Sequence, residues 1–263
     1  MTNEEVIIKR KQMLRDGYCV IEKIIPEEFL ELLINETETL IAKNNEQSDF
    51  VYQGQHIGVN QKENIVIRKL LSWKPSYDAM KDLGFGDFKH GGSVIILTKE
   101  PNGPPLYWHQ DWMQWDDPIS TSPWPQMIFL NYYLQDTSME NGCLKIIPGS
   151  HLKRIDLHDK LIPAHEGGAR FIKQDDPIMF SDHPDQICLS VRAGSLVLGD
   201  GRVLHSAGKN YTTQRRTLIL GWHSRSNDTI PEYWKGNIPY SIVKRDPYKK
   251  YEMQRIPGKY LKP

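Results

Sequence analysis

From residue 93 onward the chain is a succession of short β-prone runs broken by Gly, Pro and Asn turns, and few folds accept that pattern. Ser93 to Thr98 reads as a strand and Pro101-Asn-Gly-Pro-Pro105 as the turn that ends it. Met127 to Leu134 is a second strand, followed by the turn Glu140-Asn-Gly142 and a short strand from Cys143 to Ile147. Ser195 to Leu198 and Arg216 to His223 continue the series. Many short strands at close spacing predict a mainly β double-sheet roll or barrel rather than a parallel α/β sheet.

The N-terminal part, about residues 1–50, has a different texture. Glu4 to Arg15 has helical spacing and stops at Asp16-Gly17, and Tyr18 to Ile21 is a strand candidate. Pro26 opens a second helix through about Ala42, with Phe29, Leu30, Leu32, Leu33, Leu40 and Ile41 as its apolar stripe. Asn64 to Trp73 and Asp78 to Phe85 carry no clear period. Residues 151–190, with Pro163, Gly167-Gly168, Pro177 and Pro184, read as a long insertion, a kind of segment that is usually functional or mobile. A chain of 263 residues without a linker is expected to form one domain, 1–263.

Within the β region lies a set of metal-ligand residues. Side chains at i and i+2 of a strand point the same way, so His109 and Asp111 share a face if Tyr107-Trp-His-Gln-Asp111 is extended, while Gln110 faces away. On a helix the same pair would diverge by about 200°. His205 follows an apolar run and the tight turn Gly199-Asp-Gly201. Two imidazoles and a carboxylate form the facial triad of non-haem Fe(II), which leaves coordination positions open. Arg216 begins a strand on which Leu218, Leu220 and Trp222 share its face, and a guanidinium in such company needs a buried anion. A dicarboxylate bound beside the metal is one such anion; a structural Asp or Glu is another. Arg215 and His223 point oppositely, the first toward solvent and the second into a structural position.

The remaining composition narrows the class. Thirty-three basic and thirty-three acidic residues cancel, so charge gives no reason to expect nucleic acid or an anionic membrane as partner. No apolar run reaches the length of a membrane span, and Met1 to Lys11 is charged where a secretory signal is apolar. The three cysteines, Cys19, Cys143 and Cys188, are scattered as reduced thiols would be. A soluble cytoplasmic protein is expected. No motif encodes the oligomeric state or the substrate's identity.

The ordered motifs resemble one family. Tyr107-Trp-His-Gln-Asp111, then Glu140-Asn-Gly-Cys-Leu-Lys-Ile-Ile-Pro-Gly-Ser-His151, then His205 with Arg216, are similar to the phytanoyl-CoA dioxygenase family over about Gly17 to Ser224. The resemblance implies a double-stranded β-helix (jelly-roll) core with flanking helices, Fe(II), 2-oxoglutarate as cosubstrate, and dioxygen. It assigns His109, Asp111 and His205 to the iron and Arg216 to the distal carboxylate of 2-oxoglutarate. Tyr107 to Trp115 with Pro125-Gln-Met127 is also similar to ectoine hydroxylase, which implies Thr98 near the cosubstrate and Trp115 near the substrate. Two positions depart from the family pattern. Ala207 stands where many relatives have a Ser, with Ser206 beside it, and Asn131 stands where many have a Trp. Asn131 and Ser206 are therefore candidate cosubstrate contacts.

Trp108, Trp112, Trp115 and Trp124 crowd the ligand motif, and Trp112 and Trp115 are the candidates for a substrate wall, against core packing as the alternative. His151 is expected to be structural, His158, His165 and His183 to be loop residues meeting water, and Lys145 to be exposed. Asp111 keeps the carboxylate that related halogenases lack, so the resemblance implies hydroxylation of an unactivated C–H bond of a small-molecule substrate, a small metabolite or natural-product intermediate, with release of succinate and CO2. Desaturation, cyclisation and epimerisation use the same ligands. The other readings are an acyl-CoA hydroxylase of the same family, a zinc hydrolase, and a jelly-roll binding protein with a vestigial metal site.

Overall fold

The computed structural model describes residues 1–44, 56–161, 177–226 and 229–251. Helix α1 (Asn3–Asp16) starts from a capping box in which Thr2 and Glu5 satisfy each other's backbone N–H, and ends at Gly17 with φ 85°. A Cβ at Gly17 would lie 2.8 Å from His151 Nδ1, so both the turn and the close packing call for glycine. Strand β1 (Tyr18–Ile21) leads to α2 (Glu27–Lys43), where Phe29, Leu33, Thr37 and Ile41 form the buried stripe. Leu32, expected in that stripe, is 50 % exposed because it lies one position off the i, i+4 line.

After β2 (His56–Gly58) come two short helices the sequence left unresolved, α3 (Ile65–Leu71) and α4 (Lys74–Asp82). Their signals are local: Asn64 accepts from the Ile67 N–H, and α4 has a proline in its first turn. The strands β3 (Phe88–Lys99), β4 (Leu106–His109), β5 (Met127–Tyr133) and β6 (Leu144–Ile146) follow. The expected insertion contains α5 (Asp156–Lys160), α6 (Pro177–Phe180) and β7 (Ile187–Leu189). His165, Pro163 and Gly167-Gly168 fall outside the described residues. Then β8 (Leu196–Asp200), β9 (His205–Ala207), β10 (Arg216–Arg225) and α7 (Tyr240–Val243) complete the order.

Two antiparallel sheets result. The larger has the order β1-β8-β5-β10-β3-β2 and the smaller β4-β9-β6-β7. Sequence neighbours are mostly not sheet neighbours, as expected for a roll, and the architecture is a double-stranded β-helix with helices on one side. The larger sheet has two buried faces. Ile96, Ile128, Leu130, Leu196, Leu198 and Ile219 pack against Met13, Phe29, Leu33, Ile67 and Leu70 of the helices. The alternate residues, among them Leu97, Phe129, Tyr133, Val197, Leu218 and Leu220, face the smaller sheet with Leu144 and Ile146. Strand alternation thus separates a helix-side core from an intersheet space, and the intersheet space contains the site.

Candidate active site

A cavity of about 480 Å³ opens between the sheets. One wall is the smaller sheet, where β4 and β9 pair with His109 directly opposite His205. Their rings lie 4.1 Å apart, and Phe129 from the larger sheet packs 4.8 Å from His205. Asp111 follows β4, held there because Gly201 O accepts from both the Asp111 and Trp112 N–H groups, at 2.7 and 2.8 Å. One carboxylate oxygen is 3.7 Å from His109 Nε2 and the other 3.8 Å from His205 Nε2. The three ligand atoms lie within 4.8 Å of one another, and they are the one such cluster among the described residues.

The imidazoles are oriented for a metal. His109 Nδ1 lies 2.9 Å from Tyr107 O and His205 Nδ1 3.0 Å from Val203 O. A carbonyl can only accept, so each Nδ1 carries the proton and each Nε2 presents a lone pair to the space beside Asp111. Trp222 Nε1 donates to Asp111 Oδ2 at 2.8 Å and fixes the carboxylate. Trp222 shares a strand face with Arg216, as the alternation predicts, but its bond to Asp111 was not legible from spacing.

The turn that delivers His205 is braced by a buried ion pair. Arg202 joins Asp200 at 2.6 Å, both side chains being 1 % exposed, and donates to the carbonyls of Ser120, Ser122 and Trp124. Gln110, facing away from the cavity as expected, donates to Arg202 O at 2.5 Å. The β8–β9 turn and the loop after Asp111 are therefore one hydrogen-bonded unit.

Arg216 lines the cavity from β10 and is 6 % exposed. Burial opposes its charge, the nearby Tyr133 and Cys143 favour it, and a guanidinium stays protonated. Its Nε has no hydrogen-bond partner, and neither has the Asn131 Oδ1 on the same lining. Lys99, which the sequence reading passed over, also lines the cavity and is 2 % exposed.

Of the other expected contacts, Ser206, Trp112 and Trp115 do not line the cavity. Thr98 borders the cavity, but alternation turns its side chain to the opposite face from Lys99, and its hydroxyl donates to Glu100 at 2.8 Å. Ser206 points away for the same reason: His205 and Ala207 line the cavity, while Ser206 lies opposite Lys145. Trp112 and Trp115 pack with Ile119 and Met127 in a separate cluster, and Met113 between them lines the cavity instead. Trp108 and Trp124 are packing residues too, the first donating to Ser181 O at 2.8 Å. His158 is buried rather than wet, Arg215 pairs with Glu38 and Glu100, and Lys145 pairs with Asp182.

The sequence profile of the family described as phytanoyl-CoA dioxygenase (PhyH) matches residues 13–218. The chain belongs to the phytanoyl-CoA dioxygenase family. As a member it is a 2-oxoglutarate-dependent non-haem iron dioxygenase. It is 30 % identical to a probable alpha-ketoglutarate-dependent hypophosphite dioxygenase of Stutzerimonas stutzeri, over 81 % of this chain and 77 % of that one. It is 23 % identical to the ectoine dioxygenase of Nocardia farcinica, over 83 % and 78 %. The fold matches the epimerase SnoN, a structure with Fe3+, alpha ketoglutarate and nogalamycin RO, at a TM-score of 0.62. That match has 18 % identity and covers 97 % of this chain and 99 % of SnoN. The donors present fit the family's iron: two Nε2 lone pairs and one carboxylate converge, with a buried guanidinium in the same cavity whose Nε has no hydrogen-bond partner among the described residues.

Proposed function

We propose that this dioxygenase hydroxylates a C–H bond of a compact organic molecule, with His109, Asp111 and His205 holding the iron and Arg216 receiving the far carboxylate of 2-oxoglutarate. The observation that carries this reading is one cavity containing both the three converging side chains and a buried guanidinium that has no acidic partner among the described residues. Iron with 2-oxoglutarate and dioxygen supplies the oxidising power, succinate and CO2 being the co-products.

The chain's own contribution is placement. Tyr107 O and Val203 O keep the two imidazoles in the tautomer that offers Nε2. Trp222 holds Asp111 Oδ2, and Leu97, Phe129, Leu218 and Leu220 supply apolar lining that excludes water. His56, Ser93 and Met113 are the exposed lining residues among those described, so no Lys or Arg there meets the phosphates of coenzyme A. The apolar lining also suits a carbon substrate better than an inorganic anion such as hypophosphite, named for the Stutzerimonas stutzeri protein. Three unpaired thiols fit a cytoplasmic location.

The test is succinate release by the Fe(II)-loaded protein given 2-oxoglutarate, ascorbate and air, followed by a screen of organic substrates for products gaining one oxygen atom. Release that disappears in His109→Ala and falls sharply in Arg216→Ala is expected. Equal succinate from wild type and both variants would overturn the assignment.

A further inference from the structure

Arg216 has a neighbour of its own charge. β3 and β10 pair antiparallel with Lys99 directly opposite Arg216, so the two side chains leave one face of the sheet and enter one cavity. Like charges in that relation repel, and both are buried. Among the described residues neither has an acidic partner. Lys99 Nζ donates to Pro104 O at 2.6 Å, and Glu100, its neighbour in the chain, pairs with Arg215 instead. Two buried cations on adjacent strands, with no acidic partner among the described residues, are a large cost unless an anion joins them.

We propose that Lys99 is a second cation for the carboxylate that Arg216 receives, so that the far end of 2-oxoglutarate is held between two positive groups on adjacent strands. The inference rests on the role given to Arg216 above. A carboxylate offers about four lone-pair directions. The guanidinium fork takes two, and an ammonium opposite it takes a third. Ala207, on the facing sheet, supplies no hydrogen bond to this group.

The proton on Lys99 gives the inference a signature. Burial, then Arg216 on β10 and Lys145 on β6, hold the ammonium down to about 7. Pro104 faces it with a carbonyl. Nearby Tyr133 and Cys143 stay neutral, because burial pushes each up to about 12. An arriving carboxylate favours the charged amine, so binding takes up part of a proton near neutral pH.

The experiment is anaerobic calorimetry of the Fe(II)-loaded protein with 2-oxoglutarate and, separately, with 2-oxobutyrate, which has the same chelating end and no second carboxylate. Lys99→Met should weaken 2-oxoglutarate roughly 10- to 100-fold while leaving 2-oxobutyrate within about twofold. The heat for wild type should vary with the buffer's ionisation enthalpy, and that variation should vanish in the variant. Lys99→Arg should retain most of the affinity, which a packing role for Lys99 would not require. Equal weakening of both ligands, or unchanged 2-oxoglutarate affinity in a Lys99→Met or Lys99→Gln protein of normal melting temperature, overturns the inference. If Arg216→Met loses affinity while Lys99→Met keeps it, Arg216 stands and Lys99 falls. Wild type that binds no 2-oxoglutarate removes both.

Discussion

Asp111 uses its two oxygens differently. Oδ2 accepts from Trp222 Nε1 at 2.8 Å, leaving Oδ1 without that restraint beside His109. Replacing such an outer partner of a ligand commonly costs 10- to 100-fold in metal affinity. Trp222→Phe should therefore weaken Fe(II) by about tenfold in a competition titration against a chromogenic chelator, and unchanged affinity would show that the bond is idle. Gly199 acts from further back. A Cβ there would lie 2.0 Å from the Phe129 ring that packs against His205, so Gly199→Ala must displace the ring. Overpacking of this kind costs typically about 1–3 kcal/mol, and a lowered melting temperature with weaker metal binding is expected. The convergence of His109 and Asp111 was legible because i, i+2 spacing on a strand is a strong geometric statement. The same alternation, applied to His205, would have pointed to Ala207 rather than Ser206. Lys99 and the Trp222 bond depend on which strands become neighbours, and no local pattern carries that.

At the scale of elements, the Asp200–Arg202 pair decides whether the β8–β9 turn holds its shape. Arg202 ties that turn to the 118–126 loop through three carbonyls as well as Asp200. Arg202→Met leaves a buried carboxylate unpaired, a change worth about 3–5 kcal/mol. Urea unfolding should show a loss of that order, with a smaller loss for Arg202→Met combined with Asp200→Asn; equal losses would mean the ion pair is not the source. The long strands β3, β5 and β10 were readable as β-prone runs, helix α1 from its spacing and its stop at Asp16-Gly17, and helix α2 from Pro26 and its apolar stripe. The short strands β2, β7 and β9 were not. Three residues carry no period, and their partners lie far away in sequence.

Across the whole molecule, three buried histidines couple stability to acid. Burial lowers His151, His158 and His223 from 6.5 to about 4 each, on separate parts of the chain. Between those values the unfolded chain binds more protons than the folded one, so stability falls as pH drops from about 6.5 toward 4. The melting temperature should decline steadily over that window and His158→Gln should make the decline shallower; a flat profile would mean that these rings are solvated. The most direct test of the account as a whole is the visible charge-transfer absorption of the anaerobic protein titrated with Fe(II) and 2-oxoglutarate. Wild type should develop the band, His205→Ala should not, and Arg216→Ala should need far more 2-oxoglutarate to reach it. A wild-type protein that never develops the band, or a band indifferent to both substitutions, would contradict the placement of iron and cosubstrate in this cavity.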